Sequence, residues 1–136
     1  MKTERTMSRR APRTLAAGLM AIALLCAVSG AHASKATDRY IPIGRSPGLS
    51  GKYTSIGTIA EVSARDQTMT IADSTGTHTM QITKQTRIWL DRTALKQPNL
   101  TGSFADLQKG RRIEVKYLDP DRRQKADWIK VEITAR

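Results

Sequence analysis

Between residues 112 and 117 every second side chain is apolar: Ile113, Val115 and Tyr117 alternate with Arg112, Glu114 and Lys116. A two-residue period predicts a strand with one face in a core and the other, carrying Arg112 and Glu114, in water. Just upstream, Ser103 and Asp106 have the spacing of a capping box, which predicts a short helical turn. Gly110 is placed to close that turn in the left-handed conformation. Nearer the start, residues 56–62 are rich in β-branched side chains, and their apolar positions change phase between Ile59 and Val62. Such a phase change predicts a bulge or a bend from one sheet face to another.

Arg65-Asp66-Gln67 turns the chain into a strand over 68–72, with Met69 and Ile71 on one face. Asp73-Ser74-Thr75-Gly76 turns it again into 77–82, where His78, Met80 and Ile82 share a face. If Ser74 and Thr75 are the two loop residues, Met69 lies opposite Met80 and Ile71 opposite His78. Residues 86–90, with Ile88 and Trp89, predict a fourth strand. Asp91 is placed to cap a turn that runs through Leu95 and must stop before Pro98. A last strand is predicted over 126–133, with Ile129, Val131 and Ile133 inward.

These elements predict an all-β domain over 54–136, a small five- to six-stranded OB-like barrel with one short helical turn before the penultimate strand. A small β-sandwich is the alternative. Residues 34–53 are rich in Gly, Pro and Ser and read as an arm or linker. Tyr40, Ile41 and Ile43 either dock it on the barrel or belong to an unstructured leader.

The first 33 residues change the picture of where the chain works. A basic start, an apolar run over 15–28 and then Ala31-His32-Ala33 make a cleavable secretory signal, with cleavage expected before Ser34. The apolar run falls short of the ~20 residues a membrane span needs, so the mature chain is expected to carry no integral span. Ser8-Arg9-Arg10 resembles the start of a twin-arginine signal, from which Pro12 and Arg13 depart. The expected location is therefore the periplasm.

The sequence carries 23 basic and 12 acidic residues in 136, a net charge of +11. Removal of the signal takes away five basic residues and one acidic, leaving 18 and 11 and a net charge of +7. Cys26, in the signal, is the only cysteine, so the mature chain has no thiol. That excludes a cysteine nucleophile, a disulfide framework and thiolate metal sites.

Gly57-Thr58-Ile59 with Val62, Met69-Thr70-Ile71, Thr86-Arg87-Ile88 and Phe104-Ala105-Asp106-Leu107 with Gly110, Ile113 and Val115 resemble a family of exported bacterial barrel domains of undefined function. These are turn glycines and core positions, so they imply fold more than activity. The outline also resembles the periplasmic copper and silver chaperones of metal efflux systems. In that family a histidine, two methionines and a tryptophan on the barrel form the metal site. The resemblance implies a Cu(I) or Ag(I) site at Met69, His78 and Met80 with Trp89 nearby, and thioethers with an imidazole suit such soft ions. The family carries its methionines two apart on one strand, whereas Met69 and Met80 are on different strands. The alternative is that both are core filler.

A second candidate is a positive surface from Lys109, Arg111, Arg112, Lys116, Arg122, Arg123, Lys125 and Lys130, all late in the chain. It would attract anions, among which envelope polymers and phospholipid headgroups suit an exported protein better than nucleic acid. A solvated strand face with alternating signs explains the same residues. A partner protein is a further possibility for an accessory module. No nucleophile-elbow motif or phosphate-cradling glycine loop is present, and His78 is the mature chain's only histidine. Asp119 and Asp121 flank Pro120 as turn chemistry. The expectation is a non-enzymatic binding or accessory module.

Overall fold

The computed structural model describes residues 36–135, so the predicted signal lies outside the described residues. Seven strands form one sheet: β1 (Thr54–Ser63), β2 (Thr68–Asp73), β3 (Gly76–Gln81), β4 (Arg87–Asp91), β5 (Leu100–Thr101), β6 (Arg112–Tyr117) and β7 (Ala126–Glu132). Their order is β3-β2-β1-β6-β7-β4-β5. The β4–β7 pair is parallel and the other ladders are antiparallel. A parallel bridge between Gln81 and Lys125, with the Gln81 N–H donating to the Gln124 carbonyl at 2.8 Å, brings the end of β3 against the start of β7. The sheet thereby returns on itself, the closure that removes free edges from an OB-like barrel.

The hydrophobic pattern sets this architecture. Ile113, Val115 and Tyr117 point into the core with Met69, Ile71, Met80, Ile129 and Val131. The phase change in β1 is a bulge between Ile59 and Glu61, which lets the long strand pair with β2 and also with β6. Gly57 is needed there because a Cβ at this position would sit 2.3 Å from the Ala72 carbonyl oxygen on β2.

The helical turn before β6 is a single 3-10 turn, Phe104–Asp106. The Asp106 carboxylate accepts from the Ser103 N–H at 2.7 Å and from its hydroxyl at 3.1 Å. Gly110 has φ +87°, and its N–H donates to the Ile59 carbonyl at 2.8 Å, tying the turn to the β1 bulge. Asp91 likewise starts the Thr93–Leu95 turn, accepting from the Thr93 N–H at 3.0 Å.

Two expectations change. The strand count is seven, because Leu100–Thr101 pairs with β4 as β5. Two residues are too few to show a period, and Pro98-Asn99 immediately before them reads as a breaker. The second correction is larger: Glu114, expected in water, is completely buried. Alternation does place it opposite the core, but residues 36–53 are ordered and lie across that outer face. The Gly44 N–H donates to Glu114 Oε2 at 3.0 Å, and the Ser50 and Thr54 hydroxyls donate to Oε1 at 2.6 and 2.9 Å. Lys130 is buried beside it and donates to the Ser46 hydroxyl at 2.8 Å.

Candidate ligand pocket at the barrel mouth

Three segments meet at the end of the barrel where β2 turns into β3. In the turn itself, Asp73 Oδ1 accepts from the Thr75 N–H at 2.7 Å and the Thr75 hydroxyl at 2.6 Å. An aspartate closing a turn on its own chain two residues ahead is a local effect that needs no tertiary help. Two residues on, His78 Nε2 lies 2.8 Å from Thr75 Oγ1 and 3.3 Å from Asp73 Oδ1. Arg123 Nη1 stands 3.5 Å from the same His78 nitrogen.

The second wall is the loop between β6 and β7. Asp119 Oδ1 accepts from the N–H groups of Asp121 and Arg122 at 3.0 and 3.2 Å, and the Asp119 carbonyl accepts from the Arg123 N–H at 2.9 Å. Arg123 takes φ 53°, in the left-handed region. Its guanidinium is thereby set 5.9 Å from the Tyr117 ring centre, with Nη1 3.4 Å from Thr75 Oγ1. The third wall is the end of the arm and the start of β1, residues 51–56. Together they enclose a cavity of about 350 Å³, with Ser55, Asp73, Thr75, Tyr117 and Arg123 in its lining.

Burial by itself would raise the Asp73 carboxyl, but hydrogen bonds from Thr75 and Ser55 and the nearby His78 bring it down to about 2. It is a carboxylate at any physiological pH. Burial raises the Tyr117 phenol above its ordinary value, opposed by a weak hydrogen bond from the Ser55 side chain and by the nearby Arg123 charge. Tyr117 is 3% exposed, and its hydroxyl makes no hydrogen bond of ordinary geometry among the described residues.

Met69 and Met80 are a cross-strand pair, as the two-residue turn requires, and His78 stands opposite Ile71. Both methionines are buried in the core at 0% and 1% exposure, and the imidazole is engaged with Thr75 and Asp73 at the mouth. Trp89 is not brought to them. Ile88 enters the core, so its neighbour Trp89 faces the other way, tilted against Trp128 at 5.5 Å with Arg87 at 5.6 Å. Among the described residues no group of three or more His, Cys, Asp or Glu side chains is placed to hold a metal ion.

The eight basic residues fall in three places. Lys109 and Arg111 flank Gly110 just ahead of β6, and Arg111 donates to Gln108 at 3.1 Å. Arg112, Lys116 and Lys130 lie on the outer face, where Arg112 pairs with Glu132 at 3.3 Å, Lys116 with Asp127 at 3.5 Å and Lys130 is covered by the arm. Arg122, Arg123 and Lys125 belong to the β6–β7 loop, with Arg122 held 3.6 Å from Asp119. Arg123 alone of the eight lines the cavity. Its partners Ser55, Asp73, Thr75 and Tyr117 went unrecognised in the sequence, where Asp73 and Thr75 read as turn formers and Tyr117 as a core residue.

No protein-family model matches this chain, and no curated protein does. Among solved structures it is similar to a Cu(II) form of a tryptophan-to-alanine variant of CusF from Escherichia coli, at 14% identity over 58% of this chain and 89% of that one, with a TM-score of 0.42. It is similar also to Ag(I)CusF, at 14% identity over 57% of this chain and 93% of that one, with a TM-score of 0.40. Among the described residues no helix is long and apolar enough to cross a membrane.

Proposed function

We propose that this chain is an exported, non-enzymatic binding module on an OB-like barrel, and that it takes its ligand in the cavity at the barrel mouth. The cavity lining carries the reading: Asp73, Thr75 and Arg123, drawn from the β2–β3 turn and the β6–β7 loop, converge on one space of about 350 Å³. The export half rests on residues 1–33 and is tested by N-terminal sequencing of secreted protein, with Ser34 expected first. The ligand half is tested by screening small polar compounds against ¹⁵N-labelled protein. Bound compounds are expected to shift the amides of Ser55, Asp73, Thr75 and Arg123; hits clustering on another part of the barrel would move the site.

A second reading, Cu(I) or Ag(I) binding through Met69, His78 and Met80, draws support from the Met69–Met80 register. The two thioethers suit a soft ion. The imidazole would have to leave Thr75, and the core would have to open to admit the metal. Titration with Cu(I) against a competing chelator decides it when repeated on Met80→Leu, which keeps the core volume. Equal affinities for both proteins would remove Met80 from any site.

A further inference from the structure

Four large apolar side chains among the described residues are exposed, and they fall in two pairs. Tyr53 and Leu118 belong to the mouth, where Thr54 is registered against Lys116 and the start of β1 lies beside the end of β6. Tyr40, 63% exposed, and Leu100, 43% exposed, come together at the far end of β4, where Leu100 pairs with Leu90. The buried Asn99 side chain ties their two segments to each other. Its Nδ2 donates to the Arg39 carbonyl at 2.9 Å, and its Oδ1 accepts from the Arg92 N–H at 2.9 Å. Tyr40 follows Arg39 and Leu100 follows Asn99, so one polar anchor sets an aromatic and an aliphatic tip on the same end of the barrel.

Charge separates the two pairs. Beside Tyr53 and Leu118, the cations Lys52 and Arg122 are mixed with Asp119 and Asp121, both exposed. Around Tyr40 and Leu100 the cations are Arg39, Arg92 and Lys96, none of them in the late basic run, and the carboxylates of the same segments are turned inward. Asp38 and Asp91 are buried, with Asp91 accepting from the Ile43 N–H and from Thr93. Glu132, registered against Asp91 on β7, pairs with Arg112. Among the described residues none of the three cations forms an ion pair. The Arg39 guanidinium lies 5.4 Å from the Tyr40 ring centre, and Arg92 donates to the Gln97 side-chain carbonyl.

Apolar tips ringed by unpaired cations and cleared of exposed carboxylate match the boundary of a bilayer that carries anionic lipid. Tyrosine and leucine suit the depth where headgroups give way to acyl chains, while arginine and lysine reach phosphate from stems that lie along apolar surface. Two tips offer an acidic protein little of the about 800 Å² per partner that a specific interface buries. A bilayer needs no complementary shape.

We infer that this end of the barrel docks on an anionic phospholipid bilayer through Tyr40 and Leu100, with Arg39, Arg92 and Lys96 on the lipid phosphates. The inference is independent of any ligand in the cavity at the mouth. Its test pellets the processed protein, beginning at Ser34, with vesicles of phosphatidylcholine alone and with vesicles of phosphatidylcholine and phosphatidylglycerol. Binding is expected only with the anionic lipid. Lys96→Gln is expected to weaken it about fivefold, the share of one cation near a charged surface. Tyr40→Ser combined with Leu100→Ser is expected to weaken it further than that, with the melting temperature unchanged because both side chains are exposed. Tyr53→Ser combined with Leu118→Ser, the matched change at the mouth, is expected to bind as the wild type does. No binding to either vesicle, equal binding to both, or equal weakening by the two double variants would overturn the docking face. Long-chain polyphosphate bound as tightly as the vesicles, with no loss in Tyr40→Ser/Leu100→Ser, would overturn the bilayer and leave only the attraction of a cationic chain for any polyanion.

Discussion

Glu114 and its β7 partner Lys130 show why strand alternation and burial are separate questions. Alternation assigns both to the outer face, and the arm then removes that face from water. Glu114 accepts three hydrogen bonds, and Lys130 holds Ser46 with its amine 4.7 Å from the Trp128 ring centre. Burial pulls the Lys130 amine below its ordinary value, opposed by Glu114, Asp38 and Asp91. Glu114→Ala would strand three donors and remove one of the three carboxylates that offset the burial of Lys130, and is expected to cost about 3–5 kcal/mol in a urea melt. Val115→Ala is expected to cost about 1–3 kcal/mol as a core truncation. Arg112→Ala, which breaks only a half-exposed pair with Glu132, is expected to cost about 0–1 kcal/mol. An Arg112→Ala effect larger than that of Glu114→Ala would contradict the buried network.

Asp73 makes a prediction in acid. Its folded value of about 2 lies below the ordinary 3.8, so the unfolded chain binds the proton more readily. The stabilisation is therefore complete above about pH 4 and is lost as pH falls toward 2, on the order of 1–2 kcal/mol after discounting for solvent at the mouth. Stability measured from pH 5 to pH 2 is expected to fall more steeply for the wild type than for Asp73→Asn. Parallel curves would mean that the carboxylate gains nothing from Thr75.

At the scale of elements, the arm is the piece whose role composition could not settle. Its Gly, Pro and Ser content suits a linker, yet those same residues supply the backbone N–H groups and hydroxyls that a buried carboxylate and amine require. The Ile43 N–H also donates to Asp91 Oδ2 at 2.8 Å, and Asn99 Nδ2 donates to the Arg39 carbonyl at 2.9 Å, so the end of β4 and the loop after it hold the arm as well. Removing residues 34–46 is expected to lower stability and to shift tryptophan emission to the red, because Trp89 and Trp128, 6% and 0% exposed, lie on the covered face. An unchanged emission maximum would place the arm elsewhere.

For the molecule as a whole, the arm's anchors are on β4, β6 and β7, the strands whose inner faces build the core. Arm and barrel should therefore melt together, with coincident midpoints by tryptophan fluorescence and far-UV circular dichroism. Separate midpoints would make the arm an independent latch. What the sequence by itself determined are the features set within a few residues: strand faces, the β1 bulge, the turn at Ser103 and Asp106, positive φ at Gly110, and the Met69–Met80 register. Each follows from side-chain period or turn chemistry, which act locally. Tertiary structure alone decided that Glu114 and Lys130 are buried, that Trp89 and the methionines lie apart, and that Ser55, Asp73, Tyr117 and Arg123 surround one cavity. Those outcomes depend on which distant segment covers which face, and the arm sits 48 to 84 residues from its partners, from Ile43–Asp91 to Ser46–Lys130. No local period carries information across such a separation, because the energy that joins these groups exists only after the sheet has closed.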